Sequence, residues 1–147
     1  MGVRGDLSNV EYNKICTLFR YELLTGNHNL LEDTIKVAFY NMTAEMDATQ
    51  ETYTTVGEIP STGGYITGGF ILTNPSLTTD NYDGWLWRAD PLLIPLSTVT
   101  FGRMLLYNAS KSNRALVTYK LAQEVSTFNS PLRIVPGIYP FENWLRI

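Results

Sequence analysis

Residue types able to do chemistry are few in this sequence, and their spacing decides what they can do. The most suggestive stretch is STGGYITGGFIL at residues 61–72, in which two glycine pairs stand four positions apart. A phosphate loop needs glycines that lead into a helix N-terminus, where free N–H groups and the helix dipole meet the anion. The Walker form also needs Lys followed by Ser or Thr. Here Gly68-Gly69 runs into Phe70-Ile71-Leu72-Thr73, a strand pattern with no Lys after it. Glycines in such a pattern mark a bulge or a close backbone approach. The stretch reads as sheet punctuation.

The one histidine, His28, lies in the polar turn Gly26-Asn27-His28-Asn29. With no second His and no Cys cluster, zinc lacks ligands, and a Ser-His-Asp triad would hang on this residue alone. A solvated turn histidine is expected. No Gly-x-Ser-x-Gly elbow is present. Cys16 is the lone cysteine; it makes no internal disulfide, suits a reducing compartment, and reads as a buried structural residue. Asp80-Asn81-Tyr82-Asp83-Gly84 faintly resembles a calcium loop but lacks the third alternating ligand and the distal bidentate Glu, so an ordinary turn is expected. Asp80 with Asp83, or Asp83 with Asp90, could be drawn as glycosidase carboxylates; their separation is not fixed by one-dimensional spacing. No catalytic residue, metal or cofactor is expected, and the chain reads as non-enzymatic.

Two features concern binding. Trp85 and Trp87 stand at period two, so on a strand they share a face; they suit a glycan-stacking platform or, by expectation, a core or protein interface. The last ten residues carry Ile, Tyr, Phe, Trp, Leu and Ile, which a polar, mobile chain end would not. Residues 1–135 therefore read as one β-rich domain, and 136–147 as an apolar arm or closing strand. Arg4-Gly5-Asp6 is too short a tripeptide to carry weight.

Composition narrows the classes. At 147 residues the chain fits one domain with a real core. Charged residues are 17% and aromatics 12%, with nine Tyr, which fits a β-rich globule partly covered by partners. The net charge is −3 and the eleven basic residues are scattered singly, so nucleic-acid binding is disfavoured. No apolar run approaches the ~20 residues that span a bilayer, and no leader pattern opens the chain; a soluble, unexported protein is expected.

The elements follow from periodicity. Ser8-Asn9-Val10-Glu11 has capping-box form, Tyr12, Ile15, Phe19 and Leu23 fall at helical spacing, and Gly26 suits a left-handed cap, so a helix is predicted over 9–25. Ile35, Val37 and Phe39 then alternate with Lys36, Ala38 and Tyr40, predicting a strand. Residues 41–60 read as a long surface loop of the kind that is often functional or partner-ordered. Strands are predicted at 65–73, 84–88, 99–107, 114–121 and 131–135, with a hairpin at Asn108–Asn113. Pro91, Pro95 and Pro131 belong at edges or strand starts. The fold class is mainly β: an antiparallel β-sandwich or barrel-like domain with one N-terminal α-helix packed on it.

Several segments together resemble a family of small structural proteins of tailed bacteriophages. Tyr21-Glu22-Leu23-Leu24-Thr25-Gly26 leads through Asn29-Leu30 to Asp33-Thr34-Ile35-Lys36-Val37-Ala38-Phe39. Gly64-Tyr65, Gly68-Gly69-Phe70, Met104-Leu105-Leu106-Tyr107, Leu116-Val117-Thr118-Tyr119, Leu132–Val135 and Trp144–Ile147 are similar in order and character to later parts of that family. The likeness is strict at residues 21–39, loose from Gln123 onward, and Pro136–Pro140 has no counterpart. It implies a structural role in a phage particle for a protein made in the bacterial host cytoplasm, and by itself does not separate head from tail. The expected role is a capsid decoration or minor capsid protein that binds the assembled shell without chemistry. Its partners would be the major capsid protein or other virion proteins, with a homo-oligomer plausible and no nucleic acid or membrane involved. Tyr53, Trp144, Leu145 and Ile147 are the expected contact residues. A tail or head–tail connector component is an alternative, as is a carbohydrate-binding host-attachment module using Trp85 and Trp87; a hydrolase using the Asp80–Asp90 carboxylates ranks last.

Overall fold

A computed structural model describes residues 3–6, 10–82, 84–135 and 143–147. The fold is mainly β with antiparallel sheets and one short helix near the N-terminus, as the sequence pattern requires. The elements in chain order are β1 (Val3–Asp6), β2 (Val10–Ile15), α1 (Thr17–Leu24), β3 (Ile35–Tyr40), β4 (Phe70–Ile71), β5 (Ser76–Thr79) and β6 (Trp85–Arg88). They continue with β7 (Leu92–Ser97), β8 (Thr100–Asn108), β9 (Arg114–Ser126), β10 (Ser130–Val135) and β11 (Leu145–Arg146).

Five strands form the main sheet in the order β2-β9-β8-β3-β4, and two three-stranded sheets, β1-β10-β7 and β11-β6-β5, complete the structure. Among the described strands, β1 against β10 is the one parallel pair; Arg4-Gly5-Asp6 lies in that ladder, opposite Arg133, Ile134 and Val135. The apolar side chains of all three sheets meet in one cluster, which includes Phe39 of β3, Phe101 of β8, Leu116 of β9, Leu132 of β10, Ile94 of β7, Trp87 of β6 and Leu145 of β11. Phe39 stacks on Phe101 at 4.2 Å between ring centroids and on Tyr65 at 5.2 Å.

β3 is buried on both faces, Ala38 and Tyr40 included, because its sheet is covered on both sides and alternation does not translate into exposure. The β8–β9 hairpin forms as its turn residues dictate, with Ser112 and Asn113 in the left-handed region at φ 52° and 55°. Pro95 lies in β7, an edge strand, and Pro131 at the start of β10, beside a register shift between Ser130 and Leu132.

The predicted 9–25 helix is corrected. Val10–Ile15 is a strand paired with β9, from Val10 opposite Leu121 to Ile15 opposite Val117, and the helix begins only at Thr17. Ser8 and Asn9 lie outside the described residues, and with Val10 and Glu11 in a ladder no capping box exists. The loop supplies the missing partner for a helix-start N–H instead: Thr17 N donates to Ala48 O at 2.9 Å. The C-terminus behaves as expected, with Gly26 at φ +78°, Gly26 N donating to Leu23 O and Asn27 N to Glu22 O, a Schellman pair.

The strand predicted at 65–73 shrinks to Phe70–Ile71, since Gly63, Gly64, Gly68 and Gly69 all take positive φ. β5 and β7 were not legible as separate strands. Residues 41–60 are irregular but far from a free surface loop: Ala44, Met46 and Ile59 are buried, and Arg103 donates from Nε to Met42 O and from Nη1 to Met46 O.

Candidate functional site

The glycine-rich loop receives an oxyanion, and that oxyanion belongs to the chain. Gly68 N donates to Glu58 Oε2 at 2.8 Å, the Tyr65 hydroxyl donates to the same oxygen, and the Tyr53 hydroxyl donates to Oε1 at 2.6 Å. Tyr107 closes the cluster by donating to Gly68 O. Gly69 approaches β3 so closely that a Cβ there would lie 1.9 Å from Val37 O. Burial and then the neighbouring Glu58 push the phenols of Tyr53 and Tyr65 well above the usual range, and burial pushes Tyr107 up to about 12. Tyr53, an expected partner contact, is thus half-buried, bonded to Glu58 and stacked on Tyr107 at 4.8 Å.

His28 is corrected most sharply: it is buried, not a solvated turn residue. Its Nε2 lies 3.4 Å from Glu22 Oε1, its Nδ1 lies 3.0 Å from Asn108 Nδ2, and its ring meets Phe19 edge-on at 5.2 Å. Asn108 Oδ1 accepts from Ser110 N, so its Nδ2 is the atom facing His28 and Asp33. Burial alone would raise the Asp33 carboxyl, but the hydrogen bonds from Asn108 and Asn29 N and the charge of Lys111 outweigh it and hold it low. Arg114 Nε reaches Glu22 Oε2 at 2.9 Å. The cluster joins α1, the turn after it and the β8–β9 hairpin, with each buried polar group partnered.

The aspartates serve turns. Asp80 Oδ1 accepts from Tyr82 N and Gly84 N at 2.9 and 3.1 Å, and Oδ2 accepts from Arg146 at 2.7 and 2.8 Å. Those bonds, the Tyr82 N–H foremost, hold its carboxyl below the usual range. Asp90 accepts from Asn74 Nδ2 at 2.5 Å. Asp83 lies outside the described residues, and among those described no group of three or more His, Cys, Asp or Glu side chains is placed to hold a metal. Cys16 is buried, and desolvation, helped by Asp47, pushes its thiol up to about 12, which makes it inert.

The tryptophan pair is split. Trp85 is 59% exposed, whereas Trp87 is 2% exposed and donates its Nε1 to Leu30 O at 2.8 Å. A two-ring stacking platform is therefore not formed. Trp144 and Leu145 are buried as well, so of the expected tail contacts only Ile147 reaches the surface, at 48% exposure. Trp85 and Ile147 exchange both backbone hydrogen bonds, which sets their side chains next to each other on one face of β6 and the chain end.

Beside that pair lies an apolar groove of about 230 Å³ lined by Ile15, Phe19, Arg20, Leu23, Leu24 and Ile147. Leu24 is 88% exposed. Across the helix a second cleft of about 370 Å³ is bounded by Thr17, Leu18, Tyr21, Ala48, Thr49 and Glu51, and Tyr21 is also exposed. α1 thus buries Phe19 inward, turns Tyr21 and Leu24 outward and leaves Leu18 half-buried beside them. That three-residue spacing is a second apolar stripe, visible in the sequence but hidden there by the stripe through Phe19 and Leu23.

Comparison with protein-family models, with curated proteins and with solved structures gave no match to this chain.

Proposed function

We propose that this chain is a non-enzymatic structural protein of a tailed-bacteriophage virion, a decoration or minor capsid protein that binds the assembled shell. The observation that carries the reading is the apolar groove beside α1, lined by exposed Leu24 and Ile147, with exposed Trp85 paired to Ile147 along the backbone. Contiguous apolar surface of this kind marks an interaction site. The resemblance over residues 21–39, which takes in the last turn of α1 from Tyr21 to Leu24, supplies the kind of partner.

The mechanism is non-covalent. Leu24 and Trp85 enter complementary hollows on the shell, and repeated copies gain avidity from lattice sites already held together. Quantitative mass spectrometry of purified virions tests it. A copy number comparable with that of the major shell protein supports decoration. A handful of copies assigns the chain to the tail or head–tail connector instead, and absence from the particle overturns the virion reading. Leu24→Asp and Ile147→Asp, both at exposed positions, are expected to leave folding intact while lowering particle occupancy at least tenfold, the effect of losing about 1.4 kcal/mol or more of docking energy.

A further inference from the structure

The β8–β9 turn and the end of α1 enclose an open polar cavity of about 320 Å³, lined by Glu22, Asn27, Ser110, Lys111, Ser112 and Arg114. It lies apart from the apolar groove and does not depend on the virion reading.

What distinguishes the cavity is an excess of unused donors over unused acceptors. Glu22, its one carboxylate, is fully engaged: Oε2 accepts from Arg114 Nε and Asn27 Nδ2, and Oε1 faces His28. Arg114 meets Glu22 through Nε alone, so among the described residues Nη1 and Nη2 have no hydrogen-bond partner. Lys111 Nζ is 3.7 Å from Asp33 Oδ1, too long for a hydrogen bond, and its side chain is partly exposed. Ser110 Oγ accepts from Thr34 N, and among the described residues neither its proton nor the Ser112 hydroxyl has a partner. A guanidinium fork, an ammonium and two hydroxyls border one space. Glu22 fixes the guanidinium through Nε, which preorganises the Nη pair for a planar or tetrahedral oxyanion.

We propose that this cavity binds an oxyanion, seated on the Arg114 Nη pair and Lys111 and held by the hydroxyls of Ser110 and Ser112. The shared chemistry allows two sources, free inorganic phosphate or the carboxylate of an acidic side chain on a protein partner. The local charges of Glu22, Asp33, Lys111 and Arg114 balance, so the expected affinity is millimolar rather than tight.

Amide-resolved NMR titration of the full chain tests the site, at constant ionic strength set with chloride. The probes are inorganic phosphate and a blocked peptide carrying a single Glu. Saturable shifts at Asn27 and residues 110–114 with phosphate alone identify a free ion. Saturation with the peptide identifies an acidic partner. Lys111→Gln, at a partly exposed position, is expected to weaken either by about tenfold, the worth of one charge-assisted hydrogen bond. Arg114→Lys keeps the charge beside Glu22 and removes the fork, with a similar loss. Neither probe saturating, or Lys111→Gln binding as tightly as the parent, overturns the proposal.

Discussion

Glu58 shows how a single residue can fill the place a glycine loop would offer a bound anion. Its carboxylate receives one amide and two phenols, so the loop at 61–72 is held by an internal anion and has no vacancy for phosphate. The arrangement has a pH consequence. Tyr40, Tyr53 and Tyr65 are all raised, by burial first and then by Glu58, and a group that holds its proton more tightly when folded stabilises the fold below its unfolded pKa of about 10. That stability is lost as pH rises through the folded values. The denaturation midpoint is therefore expected to begin falling near pH 9, where the unfolded Cys16 thiol ionises, and to fall more steeply above about pH 10, with tyrosinate appearing together with unfolding. Ring-carbon NMR shifts checked against tryptophan fluorescence measure this, and Tyr65 ionising near pH 10 in a protein that is still folded would contradict it. None of this was legible in the sequence, where Glu58 is one acidic residue in a polar stretch and its partners lie up to ten positions away. His28 escaped for a related reason: its turn composition is polar, but Asn108 arrives from β8, eighty positions away, to bury it beside Glu22 of the preceding helix.

Elements were legible where one pattern dominated, and misread where two competed. β3, β6, β8, β9 and β10 fall where alternation and turn residues put them, and the hairpin at Asn108–Asn113 forms as predicted. Residues 10–15 carry helical spacing through Tyr12 and Ile15 and also sit within reach of β9, whose ladder decides the outcome. Two glycines illustrate how element geometry sets mutational cost. Gly26 has φ +78° but nothing within 4 Å of an added Cβ, so Gly26→Ala is expected to cost only the left-handed penalty, about 1 kcal/mol. Gly69 has φ +80° and backbone of β3 in the way, so Gly69→Ala is expected to cost about 4 kcal/mol or more and to detach β4 from β3. Urea denaturation of the two variants side by side decides it; equal losses would mean that the loop shifts freely and that the close approach to Val37 is not what fixes Gly69.

Across the whole molecule, the chain end is part of the core. β11 pairs with β6, Leu145 opposite Trp87 and Arg146 opposite Leu86, while Trp144 N donates to Trp87 O and the Tyr119 hydroxyl donates to Trp144 O. An apolar tail in a sequence has two outlets, a neighbouring subunit or the chain's own sheet, and composition alone does not choose between them. The hydrogen-bonding capacity of β6 does, because an unpaired edge there would leave backbone groups exposed. Apolar side chains of β6 and the paired chain end consequently have opposite roles. Trp144→Ala empties a site with no solvent exposure and is expected to cost about 3–5 kcal/mol, much of the stability of a domain this size. Trp85→Ala removes a ring already mostly in water and is expected to change stability by less than about 1 kcal/mol while, under the virion proposal, reducing attachment to the particle. Thermal melts and particle pull-down on both variants separate the two functions of the surface and the core. A Trp85→Ala protein that melts normally and still binds particles at full occupancy would remove Trp85 from the docking face, leaving Leu24 and Ile147 to account for it.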